Sequence, residues 1–328
     1  MTLVTRETIK RDSQASDHLV ESGIRKVLVV GGSGFIASAL LNYLNNINCK
    51  TVNKIRVKVL SRSTLLRNEY SSQFEFQHHP HHQAMEDCYR EFLPDVVYFI
   101  SRISSPVAEI GALEENLNFL RSHINMITSI TSIPKLVYLS SGAVYGRTEV
   151  DQNNSPFSES QRIDLGCLSD YARIKAESEN LIETSFGSSS ANYVLARLFA
   201  FYGPGLPLND FAIGNFMASK IRKEPIQIKG DGRTVRSYMH VDDLSATLCR
   251  LATDGTGALN VGGRYPITLL ELSELYKKLF GCPIEVLEQE DFESYYVPNI
   301  SKIEKLLDKT NFISLEEGLQ SWNKELEI

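Results

Sequence analysis

No stretch of the sequence approaches the roughly 20 apolar residues that a membrane-crossing helix needs, and the first 25 residues lack the apolar centre of a secretion signal. Cysteine is scarce and scattered. Cys49, Cys88, Cys167, Cys249 and Cys282 are odd in number and share no short paired spacing, which argues against a disulfide framework or a zinc site. Positive charge is in deficit, with 34 lysines and arginines against 40 aspartates and glutamates, for a formal net charge of -6. That balance speaks against a nucleic-acid or anionic-membrane binder and leaves room only for a local basic pocket that holds phosphates. Internal repeats, coiled-coil heptads and low-complexity tracts are also missing. What remains, at 42% hydrophobic and 23% charged residues, is the make-up of a soluble globular protein of one large or two modest domains with reduced, cytoplasmic thiols.

The most informative stretch is Val27-Leu-Val-Val30, an apolar run that breaks into Gly31-Gly-Ser-Gly34 and turns amphipathic from Phe35. It reads as strand, tight turn and helix. Gly31 lets the chain reverse, Gly34 lets backbone approach a phosphate with no Cβ in the way, and Ala37 lets the helix pack closely on its strand. Amides at such a helix start face an anion, so the stretch predicts a dinucleotide site.

Strands follow at Lys54 to Leu60, Phe74 to Gln77, Asp95 to Ile100, Lys135 to Leu139 and Asn192 to Leu198, with helices at Leu113 to Ile130 and from Asp170 to about Phe186. This alternation predicts an α/β fold, a doubly wound parallel sheet of Rossmann type, with a smaller mixed α/β substrate-binding region. Residues 1–25 read as a loosely ordered leader, 26–200 as the dinucleotide-binding domain, and 201–328 as mainly the second region, some segments returning to the first. At the end of the second strand an acid takes ribose hydroxyls and an arginine accommodates a 2′-phosphate. Ser61-Arg62 offers no acid and one arginine, which favours NADP(H) and leaves NAD(H) open. Ser101-Arg102 follows the fourth strand and faces the same cleft. The histidine-rich His78-His-Pro-His-His82 reads as a solvated loop, because Pro80 interrupts it and no Cys or carboxylate sits beside it at ligand spacing. No metal is called for.

The fifth strand delivers Ser140-Ser141-Gly142-Ala143-Val144-Tyr145-Gly146 to the same sheet edge, and the next helix carries Tyr171 and Lys175 four apart on one face. These groups suit carbonyl–carbinol chemistry. A phenol of ordinary pKa near 10 is a poor acid–base group at neutral pH, and a lysine one turn away favours its phenolate. Ser141 would hold the substrate oxygen.

In this setting the chain resembles an extended short-chain dehydrogenase/reductase of the nucleotide-sugar epimerase/4-ketoreductase branch. The resemblance runs over most of the chain after Arg25 and is carried by Gly31 to Ala37, Ser140 to Gly146, Tyr171 to Lys175, Arg197 to Pro204 and Gly230 to Asp243. It implies Tyr171 as acid/base, Lys175 as the ribose-binding residue that tunes it, and Ser141 as the third catalytic residue. Cofactor contacts are implied at Gly31, Ser33, Gly34, Phe35, Ile36, Ser61, Arg62, Ser101 and Lys175, and substrate contacts at Ser141, Ala143, Asn215 and Arg236, the last gripping the diphosphate. Gly142-Ala143 stands where the family's 4,6-dehydratases carry an Asp-Glu pair, which argues against dehydration, and Ala200 stands where an asparagine commonly touches substrate. The implied activity is NADPH-dependent reduction of a keto group, at C4, of a nucleoside-diphosphate 4-keto-6-deoxy- or dideoxyhexose in deoxysugar biosynthesis. A 4-epimerase with retained NAD and a silent cofactor sensor are the alternatives. The family commonly forms an isologous homodimer through the helices here at Leu113 to Ile130 and Tyr171 to Phe186.

Overall fold

The computed structural model describes residues 18–61, 74–78, 82–101, 112–146, 148–149, 154–187, 189–209, 211–288, 293–307 and 312–327. The apolar run that opens the fold is strand β1 (Lys26–Val30), whose Val27 to Val30 are wholly buried. Continuous burial follows from its place, since β1 is paired in parallel on both sides, with β2 (Arg56–Ser61) and β4 (Val96–Phe99). Beyond β2 lies β3 (Glu75–His78), and beyond β4 lie β5 (Lys135–Ser141), β7 (Tyr193–Leu198) and β11 (Gly257–Val261). The order is β11-β7-β5-β4-β1-β2-β3, seven strands with every pairing parallel, the expected doubly wound sheet.

Strand side chains alternate between the two faces and set up two cores. Val27, Val29, Val59, Tyr98 and Val137 face α1 (Phe35–Lys50) and α6 (Val241–Asp254). Leu28, Val30, Leu60, Val97 and Phe99 face α2 (His82–Phe92), α3 (Ala112–Ser129) and α4 (Asp170–Phe186). On α3, Leu120, Ile124 and Ile127 are sunk into this second core, so they are not available to pair with another subunit. α2 is an element that the sequence reading passed over. Its Met85, Cys88, Tyr89 and Phe92 are buried at helical spacing. Of the stretch expected to be a loop, His78 closes β3 and His82 opens α2, while 79–81 lie outside the described residues.

Within the stretch expected to be a loose leader, residues 18–21 form a helical turn with Leu19 buried, His18 meets Asp254 at 2.9 Å, and the Arg25 amide donates to Asp95 at 2.7 Å. All five cysteines are free thiols. Among the described residues no helix is long and apolar enough to cross a membrane.

The second lobe gathers around a third core of Tyr202, Leu206, Ile213, Phe216, Leu272, Tyr276 and Trp322. Its frame is β10 (Val235–His240), which pairs with β8 (Ala200–Tyr202), β12 (Pro266–Thr268) and β14 (Ser294–Tyr296), the last also touching β6 (Thr148–Glu149). A separate pair joins β9 (Ile226–Lys229) to β13 (Ile284–Leu287), and helices α5 (Ala212–Arg222), α7 (Leu269–Phe280), α8 (Ser301–Leu306) and α9 (Leu315–Leu326) complete the chain.

Candidate active site

The sheet changes winding direction between β1 and β4, and ligands of such sheets lie beyond the strand ends at that point. Here Gly31 follows β1 with φ of 94°, its amide donating to Leu60 O at 2.9 Å. A Cβ on Gly31 would lie 2.6 Å from the Ser101 backbone, so this glycine admits the close approach of the two strand ends. Gly34 differs. It is the N-cap of α1, offers no side-chain cap, has no acid in the turn that follows, and a Cβ there would meet nothing within 4 Å. The uncapped amides beside open space suit a pyrophosphate, which is the cradle a dinucleotide needs.

The other residues assigned to the cofactor are placed unequally. Ser33 is exposed on the turn, whereas the Phe35 ring stacks on Phe201 at 5.9 Å and Ile36 packs on the first core, which leaves each its backbone amide for an anion. Ser61 is buried at the end of β2, so its side chain is not presented at the surface. Arg62 and Arg102 lie outside the described residues.

At the end of β5, Ser141 caps a 3-10 turn (Gly142–Tyr145), its Oγ accepting from the Ala143 amide at 3.2 Å. Helix α4 begins nearby, capped by Ser169, and presents Tyr171 and Lys175 on one face. Tyr171 is 39% exposed and Lys175 only 6%. The tyrosine ring is thus open to solvent and the lysine held in place. Lys175 Nζ donates to Leu139 O at 2.6 Å and lies 4.8 Å from the centre of the Tyr138 ring.

A residue missed in the sequence joins them. Tyr296 of β14 lies beside Ser141, Ala143 and Tyr171, its hydroxyl donating to Leu198 O at 3.4 Å, and its burial, with the charge on nearby Tyr171 adding to the effect, pushes its phenol well above the usual range. Its register partner on β10 is Arg236, whose guanidinium lies 5.6 Å from the Tyr296 ring centre and donates to Val235 O, Ser294 O and Ser294 Oγ at 2.8–2.9 Å. Strand pairing thus brings Ser141, Ala143, Tyr296 and Arg236 together from three distant parts of the chain. Only the tandem Tyr295-Tyr296 in a polar stretch hinted at it, and pairing over such a distance is not written locally. Asn215 sits exposed on the first turn of α5, and Ala200 opens β8 half-buried. Among the described residues no cluster of His, Cys, Asp or Glu could hold a metal.

Residues 27–262 match the family described as the NAD dependent epimerase/dehydratase family. The chain is 27% identical over 303 residues to UDP-glucuronic acid decarboxylase 1 of Arabidopsis thaliana, covering 90% of this chain and 68% of that protein. It is 32% identical over 203 residues to UDP-glucuronate 4-epimerase of Thermodesulfobacterium geofontis, covering 59% and 60%. Among solved structures it is similar, with a TM-score of 0.77, 20% identity and coverage of 92% and 96%, to dTDP-glucose 4,6-dehydratase from Bacillus anthracis in complex with NAD. At that identity the likeness concerns the fold.

Proposed function

The chain belongs to the NAD dependent epimerase/dehydratase family, and from that premise we propose that it is a cytoplasmic enzyme that reduces the C4 keto group of a nucleoside-diphosphate 4-keto-6-deoxy- or dideoxyhexose, drawing on NADPH. The observation that supports this reading is that β5 ends in Ser141 and a turn without an acid, while Lys175, one helical turn past Tyr171, is anchored to Leu139 of the same strand. Gly142 and Ala143 form that turn. Elimination of water from a sugar needs a further proton donor and acceptor beside the ring, and with neither in the turn dehydration is disfavoured, whereas hydride transfer needs only Ser141, Tyr171 and Lys175.

The reduced nicotinamide, when bound, supplies the hydride. Tyr171, open to solvent, gives a proton to the carbonyl oxygen, and the Lys175 ammonium one turn away stabilises the phenolate left behind. Ser141 orients the same oxygen through its hydroxyl. Arg236 takes the diphosphate, where a planar guanidinium makes charge-assisted, bidentate hydrogen bonds. The uncapped start of α1 takes the cofactor's pyrophosphate.

The test is the absorbance of reduced cofactor with a panel of 4-keto sugar nucleotides. Stoichiometric loss of NADPH supports the reductase. A second reading, a 4-epimerase that retains NAD, is favoured by the 32% identity to a UDP-glucuronate 4-epimerase. It predicts conversion of a 4-hydroxy sugar nucleotide into its epimer with no net change in cofactor, and that result would replace the first reading.

A further inference from the structure

Beneath the catalytic turn lies a buried charged network that hydride transfer does not itself use. Glu179 stands one helical turn beyond Lys175 on α4 and is 3% exposed; Arg197 of β7 is 6% exposed. Arg197 Nη2 donates to Glu179 Oε2 at 2.6 Å and its Nε reaches both carboxylate oxygens at 3.0 and 3.1 Å. The same carboxylate accepts from Ser140 Oγ at 2.5 Å. On its far side Arg197 Nη1 donates to the Tyr145 hydroxyl at 2.8 Å, and that hydroxyl donates in turn to Asn260 Oδ1 at 2.8 Å. The Tyr145 ring stacks on Phe157 at 5.1 Å, and Asn260 Nδ2 donates to Phe157 O at 2.7 Å.

Stability alone does not account for such an arrangement. Desolvation of a buried ion pair roughly cancels its Coulomb gain, and apolar residues of the same size often serve as well. What the pair adds is direction, because a guanidinium fork fixes angle as well as distance. Each arm of the network ends on a segment that carries a site residue. Ser140 precedes Ser141, Tyr145 closes the turn that holds Ala143, and Glu179 follows Lys175 on the same helix. From above, the Phe199 ring lies where a Cβ on Gly142 would fall, 2.6 Å away, so the turn is clamped on both sides.

We propose that Tyr145, held by Arg197 and Glu179, is a positioning residue that fixes Ser141 and the Ala143 amide relative to Tyr171 and Lys175. Its hydroxyl has both a donor and an acceptor assigned, and burial pushes the phenol up, so it stays protonated and acts by holding rather than by proton transfer. This inference rests on the reading of Ser141, Tyr171 and Lys175 as the catalytic groups.

The test is Tyr145→Phe, which keeps the ring stack and removes both hydroxyl bonds, assayed on the sugar nucleotide that the wild type turns over. Misplacement of a reacting group by about 1 Å costs on the order of a hundredfold in rate, so kcat should fall roughly ten- to a hundredfold. KM and cofactor Kd should stay near wild type, while the melting temperature falls by only a few degrees for the two hydrogen bonds lost. Ser140→Ala, approaching the turn from its other end through a single bond, should lower kcat by roughly three- to tenfold with the same split. Wild-type kcat in Tyr145→Phe, beside an inactive Tyr171→Phe, overturns this inference and leaves the catalytic reading standing. Wild-type kcat in Tyr171→Phe as well overturns both. If kcat, cofactor binding and melting temperature fall together in both Tyr145→Phe and Ser140→Ala, the network is structural only and the inference is wrong.

Discussion

At the scale of single residues, Gly31 and Gly34, two of the three glycines in the turn after β1, do different work, and substitution should separate them. Gly31→Ala places a Cβ against the Ser101 backbone at a φ that L residues avoid, and should cost about 2–4 kcal/mol of stability, read by denaturant unfolding. Gly34→Ala meets open space at an ordinary φ of -92°. It should leave stability unchanged or slightly raised and weaken cofactor binding at least tenfold, because the methyl occupies the room the phosphates need. Equal effects of the two would remove Gly34 from the cofactor site. Tyr171→Phe should lower turnover by roughly two to four orders of magnitude with little change in cofactor affinity, which single-turnover assays and a binding titration can separate.

Among the elements, α6 carries a built-in sensitivity to acid. His240 caps it, Nδ1 accepting from the Asp242 amide at 3.3 Å, and burial holds the imidazole below its ordinary value although Asp242 pulls the other way. The folded chain therefore keeps His240 neutral while the unfolded chain takes up a proton as pH falls through about 6.5, so stability is full above that pH and falls below it. The melting temperature should drop between pH 7 and 5.5, and His240→Asn, which keeps a cap acceptor and does not titrate, should flatten that drop. Elements also mark how far the sequence could be read. The main-sheet strands, α3 and α4 were legible because apolar runs of β-branched residues, helical periodicity and glycine punctuation agree with one another there. β8, β12 and β14 have three residues each, too few to show a period, and exist because β10 offers them an edge. Tyr296 was hidden for the same reason. α2 was legible in principle, and its spacing of Met85, Cys88, Tyr89 and Phe92 was overshadowed by the histidines at its start.

For the whole molecule, cofactor choice can be read as a change in stability. A ligand at about 100 times its Kd stabilises by roughly 2.7 kcal/mol, so the preferred cofactor should raise the melting temperature by several degrees and the other less. Our reading predicts NADPH ahead of NADH, with Arg62→Ala erasing the difference; equal shifts in the wild type would favour the NAD-retaining epimerase. It also predicts a homodimer pairing α3 with α4. With Leu120, Ile124 and Ile127 committed to the subunit's own core, the pairing would have to use outward positions, and a monomeric mass in solution would dismiss it. The ring of Phe199 over Gly142 has an evolutionary consequence. Phe199 is 4% exposed and its ring lies 4.6 Å from that of Tyr296, so making room for a side chain at 142 would disturb a packed aromatic cluster. A lineage that gains an acid there must first shrink Phe199: Gly142→Asp alone should fail to fold well, whereas Gly142→Asp with Phe199→Ala should be tolerated. On our reading, passage from ketone reduction to dehydration is thus a path with an order of steps, in which the phenylalanine stands before the first one.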